Sequence, residues 1–325
     1  MVRFTCLASG SKGNSSVLTG GSTRILVDAG LSCRELFRRM ELAGEDPRTL
    51  DAIVITHEHS DHVHGLAVTA RKLGIPVYFT RQTHKAWVDQ VTPKVKLTYA
   101  AWAEARRQEK LTAEAAAESA AEAGGAGDEG LAAGVPAMAE EPEEEGCEPE
   151  KTAKRAPSDL PQVEYFAAGE SFTIGDVTVS PFTIPHDAAD PVGFVFSAEG
   201  VRVAVATDLG YMAPNVSMQL RGSDLILLES NHDLEMLRDG PYPWSLKQRV
   251  LSRVGHLSND GAAEYLEQGY DGKARWLILG HLSETNNMPE LARIAAERAL
   301  ANHARLLGNR LMLANQYEAL ESICF

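Results

Sequence analysis

Four histidines and one aspartate fall within eight residues of this chain, in the segment THEHSDHVHG. They are His57, His59, Asp61, His62 and His64. The apolar run DAIVI before them is typical of a buried strand, and a loop that leaves a strand can direct alternate side chains into one cavity. Imidazole and carboxylate groups are ligands for zinc, manganese and iron. The spacing indicates two adjacent metals, with the first two histidines on one ion and Asp61 and His62 on the other. His64 is interpreted as a supporting or surface residue.

Three further candidate ligands, His186, Asp208 and His281, follow other strand-like runs. The runs are VTVSPFTI, VRVAVA and WLILG. Open α/β sheets place their chemistry where strands give way to loops. Each residue alone could be an ordinary loop or turn residue. Together with the clustered histidines they complete two three-residue sets that share a carboxylate.

The candidate ligands lie within longer motifs that run through about residues 1–99 and 160–325. The motifs are LASGSKGNSS, ILVDAG, THEHSDH, PHDAADPVGF, ATDLGY, LESNHD, VGHLSNDGAAEYL and LILGHLSETNNMPELA. In these motifs the chain resembles the metallo-β-lactamase superfamily and, within it, the YycJ (WalJ) group of bacterial nucleases. The His-x-His-x-Asp-His motif alone specifies only the superfamily, whereas the later segments indicate the YycJ group.

The resemblance implies an activity and a set of metal ligands. Members of the YycJ group look like 5′-to-3′ exonucleases that act on double-stranded DNA, so DNA is the expected partner. One ion would be held by His57, His59 and His186, the other by Asp61, His62 and His281, with Asp208 as the bridge. Two divalent ions would share a hydroxide that attacks the phosphodiester. Zinc and manganese are both compatible with mixed histidine and aspartate ligands.

The order of strand-like and helix-like segments predicts an α/β fold, and the resemblance implies that it is the metallo-β-lactamase fold. This is a four-layer αββα sandwich of two mixed sheets with outer helices. Three strand patterns open the chain, followed by a helix through CRELFRRMELAG with Leu36, Phe37 and Met40 on one face. In the second half, SFTIGDVTVSPFTI and VGFVFSAEGVRVAVAT read as hairpin-like pairs, DLILLES and RWLILG as strands, and SNDGAAEYLEQ and MPELARIAAERALANHARLL as helices. The metals would lie in the crevice between the sheets.

An alanine- and glutamate-rich segment at 102–161 interrupts this pattern. It holds 15 acidic and 6 basic residues and so contributes −9 of the formal net charge of −14. Its glycine clusters, few aromatic residues and like charges predict a disordered insertion, with an acidic binding tail as the alternative. The insertion divides one metallo-β-lactamase domain into two halves, 1–101 and 162–325. The acidic total is weak evidence against a nucleic-acid partner, because two divalent ions add +4 where phosphate binds.

The rest of the composition is typical of a cytoplasmic enzyme. No apolar run of 18 or more residues could span a bilayer, and MVRFTCLASG is no signal peptide, so no membrane partner is expected. The four cysteines, Cys6, Cys33, Cys147 and Cys324, have no CxxC spacing. They are therefore predicted to be free thiols. The sequence identifies no protein partner.

Glu229, at the end of DLILLE, and His256, in GHLSNDG, are the candidates for proton transfer. Similar pairs in transfer-RNA 3′-processing members of the superfamily act together on the leaving group. The carboxylate would orient the imidazole, and the imidazolium would protonate the departing 3′ oxygen. Asp61 is counted with them as catalytic as well as a ligand. A buried ion pair for Glu229 and a helix-capping residue for His256 are the alternatives.

Three further residues are expected to support the ligands. His232 and Asp187 are interpreted as supporting residues, the latter as a carboxylate that holds a ligand imidazole in one tautomer. Asp28 would act in the same way, although an aspartate in a turn at a strand end is equally compatible with its position.

Candidate substrate contacts are Ser11, Lys12 and Asn14 in the glycine-serine loop, and Asn287 before a predicted helix. Backbone amides of the loop, with Lys12, could form a nest for a terminal 5′ phosphate. Asn287 would cap the helix and leave amides facing an anion. Tight-turn glycines and an ordinary helix cap explain both features equally well.

Other activities of the same fold remain as alternatives. Thioesterases, lactonases and β-lactamases share the ligand loop, so a small-molecule hydrolase is the main one, and an RNA-processing nuclease is another. Only 73 residues separate Asp208 from His281, too few for the large insertion of β-CASP nucleases. The segment 102–161 has neither the position nor the basic character of the arm of transfer-RNA 3′-processing enzymes. A non-enzymatic scaffold would be expected to have lost ligands, and all seven are present.

Overall fold

The computed structural model describes residues 1–92, 104, 106–107, 156–301 and 310–325. By its internal contacts the chain forms two units, one of Met1–Thr92 with Ala156–Phe325 and one of Pro93–Arg155. Nearly all of the predicted insertion and Cys147 lie outside the described residues. So does the part of the last predicted helix beyond Ala301. The prediction that 102–161 is disordered therefore stays a prediction.

One seven-stranded sheet comes mainly from the first half of the chain. Its strands are β1 (Val2–Ala8), β2 (Ser15–Gly20), β3 (Thr23–Val27), β4 (Ala52–Val54), β5 (Val77–Phe79), β6 (Val163–Tyr165) and β14 (Ile323–Cys324). They are ordered β14-β1-β2-β3-β4-β5-β6. Pairing is antiparallel from β14 to β3 and parallel from β3 to β6. The sheet is therefore mixed, as predicted.

The second half builds another seven-stranded mixed sheet. Its strands are β7 (Phe172–Ile174), β8 (Val177–Thr183), β9 (Val192–Ala198), β10 (Val201–Ala206), β11 (Leu225–Glu229), β12 (Trp276–Gly280) and β13 (Arg310–Leu313). They are ordered β13-β12-β11-β10-β9-β8-β7. The two predicted hairpin-like pairs are antiparallel, and β10 to β13 are parallel.

Helices connect and cover both sheets. In the first half they are α1 (Cys33–Leu42), a 3₁₀ turn (Pro47–Thr49), α2 (Ser60–Val63), α3 (Leu66–Leu73) and α4 (Arg81–Val91). In the second half they are α5 (Pro214–Leu220), α6 (Leu234–Asp239), α7 (Trp244–Val250), α8 (Asn259–Glu264) with a π turn (Tyr265–Gly269), and α9 (Pro289–Ala301). Helix α1 begins at the Ser32 cap, whose side chain accepts a hydrogen bond from the amide of Glu35. Leu36 and Met40, four residues apart, are its fully buried positions.

Three apolar clusters define the layers. The central cluster joins Phe4, Val27 and Val54 of the first sheet to Phe194 and Val205 of the second. A second cluster packs α1, α3 and α4 on the outer face of the first sheet, and a third packs α5, α8 and α9 on the outer face of the second. Each fully buried side chain contributes roughly 1.5–3 kcal/mol through removal of apolar surface from water. The αββα sandwich predicted from the sequence is confirmed.

Parallel strands place the polar residues of interest at neighbouring strand ends. Asp28 follows β3, Asp208 follows β10, Glu229 ends β11, and His281 follows β12. Asp28, Asp208 and His281 have left-handed backbones, with φ of 59°, 62° and 55°. Residues other than glycine seldom adopt this conformation, which is common at functional sites. No helix in the described ranges is long and apolar enough to cross a membrane.

Candidate active site

His57, His59 and His186 form the first ligand cluster, in which one ring nitrogen of each lies within 4.8 Å of the others. Nδ1 of His186 donates to the carbonyl oxygen of Gly255 over 3.1 Å. Its Nε2, left with a lone pair in the neutral ring, faces Nδ1 of His59 at 3.2 Å. Nε2 of His57 is buried and makes no hydrogen bond within the described residues. Three nitrogens that converge in this way fit a metal such as zinc.

Asp61, His62, Asp208 and His281 form the second cluster. One carboxylate oxygen of Asp208 lies 3.2 Å from Nε2 of His62 and the other 3.2 Å from Nδ1 of His281. Oδ2 of Asp61 lies 3.5 Å from Nε2 of both histidines. The structure therefore brings all seven predicted ligands into two adjoining groups.

The charges of the second cluster fit a bound cation. Burial alone would lower the pKa of His62 and His281, but the facing carboxylates, above all Asp208, raise both pKa values well above the usual range. Burial opposes ionisation of Asp61 and Asp208, yet the same two histidines hold the carboxyl pKa values below normal. Metal ligands must lose their protons on binding. A bound cation would therefore replace the protons that these imidazoles carry beside the carboxylates.

The first cluster is electrostatically different from the second. Burial is the main reason why the pKa values of His57 and His186 are lowered, so both rings stay neutral at neutral pH. A neutral imidazole offers a lone pair to a metal. The residues present thus fit two divalent ions, and the chemistry of each donor set agrees with that assignment.

Asp28 and Thr56 contact the ring nitrogens of two candidate ligands, His62 and His57. Oδ2 of Asp28 lies 2.8 Å from Nδ1 of His62. Its Oδ1 accepts from the amide of Thr56 over 2.9 Å, and the Thr56 hydroxyl lies 3.0 Å from Nδ1 of His57. Of the two interpretations of Asp28, the geometry favours the carboxylate that holds an imidazole. Thr56 is not among the residues predicted from the sequence, although its position directly before the histidine motif is a usable signal.

Glu229 connects His256 to the second cluster. Its Oε1 lies 2.8 Å from Nδ1 of His256 and 2.9 Å from Nδ1 of His281. Its Oε2 accepts from the amides of Leu209 and Leu257. Burial works against the charge, but His256 and then His281 outweigh it and lower the pKa of Glu229 to about 2. The contact with His281 was not anticipated from the sequence.

Two of the predicted supporting residues make no hydrogen bond to a candidate ligand. Asp187 is 3.5 Å from Nε2 of His186, beyond hydrogen-bond distance, and is ion-paired with Arg249. The tautomer of His186 is set by the Gly255 carbonyl instead, so that prediction for Asp187 is wrong. His232 is buried, and neither ring nitrogen makes a hydrogen bond to the described residues. His64 is exposed at the end of α2, in line with a surface residue.

The candidate substrate contacts differ in whether their side chains already bond to other residues. Ser11 is exposed and lines a small cavity that also contains His256. Lys12 is exposed but ion-paired with Glu284 at 2.6 Å. Asn14 is buried, and its amide nitrogen lies 3.0 Å from both Asp61 Oδ2 and His62 Nε2. Asn14 thus contacts the ligands themselves.

Asn287 differs most from its predicted role. Helix α9 begins at Pro289, so Met288 and not Asn287 occupies the cap position. The Asn287 amide donates to the carbonyls of Ser230 and Asn231, and its oxygen accepts from Met288. Its polar atoms are therefore used inside the protein and unavailable to an anion.

One glycine is required by the close approach of the motif loop. A Cβ at Gly30 would lie 1.7 Å from the carbonyl oxygen of Asp61. Gly30 ends the motif ILVDAG, and no larger residue fits there without moving the ligand. The signal was present in the sequence, although only the structure shows which residue lies against it.

Comparison with known proteins gives the chain clear relatives. Residues 8–256 match the sequence profile described as the metallo-beta-lactamase superfamily. The chain is 31% identical to exodeoxyribonuclease WalJ of Streptococcus pneumoniae, covering 92% of this chain and 88% of that protein. It is 32% identical to exodeoxyribonuclease YycJ of Bacillus anthracis, covering 92% and 89%. The crystal structure of the metallo-beta-lactamase fold protein YhfI from Bacillus subtilis superposes with a TM-score of 0.57 at 15% identity, covering 99% and 100%, which shows the shared fold alone.

Proposed function

Because this chain belongs to the metallo-β-lactamase superfamily and to its WalJ/YycJ group, and is thus a metal-dependent hydrolase, we propose that it is a 5′-to-3′ exonuclease on double-stranded DNA. The relatives' names support a nucleic-acid substrate. The ligand clusters and the Glu229–His256 pair beside them support phosphodiester chemistry.

The two clusters would hold the metals separately. His57, His59 and His186 would bind one divalent ion, and Asp61, His62 and His281 the other. Asp208 lies within the second group, and its charge also acts on His57. Two such ions, of zinc or manganese, activate water and neutralise phosphate charge when bound. Asn14, Asp28 and Thr56 keep the ligands of the second group and His57 in place.

His256 is positioned to protonate the leaving group. Its Nδ1 donates to Glu229, so Nε2 is the nitrogen left to release a proton. Glu229 stays ionised at neutral pH and stabilises the imidazolium. His256 lies beside both groups, with its ring centroid 5.2 Å from that of His186 and 5.1 Å from that of His281. It is also partly exposed, so a substrate can reach it.

The Glu229–His256 pair is the single observation that carries this proposal. A 3′ alkoxide is a poor leaving group and needs a proton, whereas the thiolate released from a thioester does not. A buried carboxylate bonded to a partly exposed imidazole beside a metal centre supplies that proton donor. The pair therefore favours a phosphodiester over a thioester as substrate.

The test uses blunt duplex DNA labelled at one 5′ end or one 3′ end, with manganese or zinc in separate reactions. The 5′ label should appear at once as a mononucleotide, and the 3′ label as a ladder of shortened strands. Single-stranded DNA, precursor transfer RNA, a thioester and a β-lactam are assayed in parallel. Asp208→Ala should be inactive, and the surface variant Asp239→Ala should be unchanged. The reverse labelling pattern, or preferential cleavage of a small molecule, would reject the proposal.

A further inference from the structure

His256 forms part of the wall of two cavities in the described part of the chain. The smaller, of about 140 Å³, includes Ser11 and Arg249. The larger, of about 540 Å³, lies between α5 and α8 and is lined by Tyr211, Met212, His232, Tyr265 and Gln268, among others. Cavities that bind small molecules usually measure about 300–1,000 Å³, and only the larger one falls in that range.

Two residues in the wall of the larger cavity carry polar groups without a hydrogen bond in the described part of the chain. Both ring nitrogens of His232 and the hydroxyl of Tyr265 are buried and make no hydrogen bond to any described residue. Burial lowers the pKa of His232 to about 4, so its ring is neutral and has one donor and one acceptor to offer. Buried polar groups without partners are rare in folded proteins and call for an explanation.

We propose that this larger cavity binds the sugar and base of the 5′-terminal nucleotide, the part of the DNA that leaves. The inference rests on the proposed exonuclease function. There, His256 protonates the 3′ oxygen of that nucleotide, so the attached sugar must lie next to His256. Of the two cavities that His256 lines, only the larger one has the volume expected of a small-molecule site. The edges of a base carry donors and acceptors, which are the hydrogen-bond partners that His232 and Tyr265 lack.

Two charged side chains lie at the edge of the cavity. Arg253 places its guanidinium 4.1 Å from the centroid of the Tyr211 ring, which forms part of the cavity wall. An arginine at this edge is suited to a phosphate group of the bound nucleotide. Glu264 lies at the exposed rim and can accept from a base amine.

The test measures binding of deoxyadenosine and thymidine 5′-monophosphates by calorimetry, with metal-loaded and with chelated protein. Met212→Trp, which fills the cavity, should abolish binding and raise KM for duplex DNA at least tenfold with both metals retained. Tyr265→Phe should weaken binding about 2- to 10-fold, the usual loss for one hydrogen bond. Gln268→Trp, at an exposed lining position, is the second filling variant if Met212→Trp does not fold.

Leu42→Trp is the matched control, because it adds the same side chain to a separate cavity of about 750 Å³ that contains none of the proposed site residues. It should leave binding and KM unchanged. If the protein cuts DNA but a folded filling variant keeps the same affinity and KM, or Tyr265→Phe binds as tightly as the parent, the cavity assignment is overturned and the exonuclease proposal stands. If DNA is not cut but the mononucleotides bind and Met212→Trp abolishes that binding, the exonuclease proposal fails. The cavity is then a nucleotide site, but its assignment to the leaving nucleotide of DNA is overturned.

Discussion

Asp28 Oδ2 lies 2.8 Å from Nδ1 of His62, and the two side chains are only 5% and 0% exposed. The contact requires Nδ1 of His62 to carry a hydrogen. Nε2 of the same ring faces Asp61 and Asp208. A carboxylate in this position also makes the imidazole a stronger base. Asp28 therefore orients a candidate ligand without being one itself.

Asp28→Ala should weaken metal binding about 10- to 100-fold, the usual effect of losing such a partner. The carboxylate fixes His62 and also accepts from Thr56, so both supports are lost together. Competition with a chromogenic chelator measures the affinity. Asp239→Ala, an exposed carboxylate paired with Arg238, is the control. Unchanged affinity in Asp28→Ala would show that the contact does not orient a ligand.

Two metals per chain are expected, and Asp208→Ala should lose activity and at least one ion. Both oxygens of Asp208 face imidazoles of the second cluster, and its charge also acts on His57 of the first. Elemental analysis of purified protein gives the stoichiometry of parent and variant. Active parent protein with a single ion would contradict the dinuclear assignment.

The positions of the seven candidate ligands could be predicted because each combines a ligand-type side chain with a strand end. Strand ends are visible as apolar runs, and the parallel strands β10, β11 and β12 bring Asp208, Glu229 and His281 to one edge. The αββα layers were predictable for the same reason. Short strands such as β6, β13 and β14, of two to four residues, carry no such periodic signal.

The partners of the ligands could not be predicted, because they depend on the path of loops between distant segments. Gly255 is 69 residues from His186, and Glu229 is 52 residues from His281. Which backbone carbonyl faces a ring nitrogen is not encoded in residue type. Asn287 shows the converse error, since a residue typical of a helix cap instead bridges two buried carbonyls.

Replacement of residues 104–156 by a short glycine-serine linker should change thermal stability and nuclease rate little. The cost of closing a loop grows only slowly with its length, and an acidic, alanine-rich segment has little apolar surface to bury. Thermal melting and the rate on duplex DNA are compared with the parent. A large loss in either would show that the segment is structural or functional.

Cys324 should react with iodoacetamide within minutes at pH 8, while Cys6 should stay unmodified until the protein unfolds. Cys324 is exposed, whereas Cys6 lies between the two sheets, where burial raises the pKa of its thiol to about 11. The thiolate is the reactive form, so both access and ionisation protect Cys6. Peptide mass mapping over time reports each cysteine separately. Equal labelling of both in folded protein would contradict the packing described for β1.

His256→Ala should keep both metals and its DNA affinity while kcat falls by roughly 10² to 10⁴, the usual contribution of a positioned general acid. His256 is not one of the seven candidate ligands, so its removal leaves both clusters complete. It also belongs to a third group of possible ligand atoms, with Asp208, Glu229 and His281, so the metal content of this variant is measured too. Glu229→Gln should also lower kcat, and the double variant should lose little more than the worse single one. Because Glu229 also touches His281, its variant requires a metal measurement before its rate is interpreted.

Leaving-group dependence separates a general acid from a structural histidine. An activated aryl phosphodiester releases a phenolate that needs no proton, so His256→Ala should cut it nearly as well as the parent protein does. The rate on DNA, whose 3′ alkoxide needs protonation, should fall by the full factor. If His256→Ala loses metal, or loses both activities equally, His256 is a ligand or a structural residue. The proton donor would then have to be another group beside the two clusters.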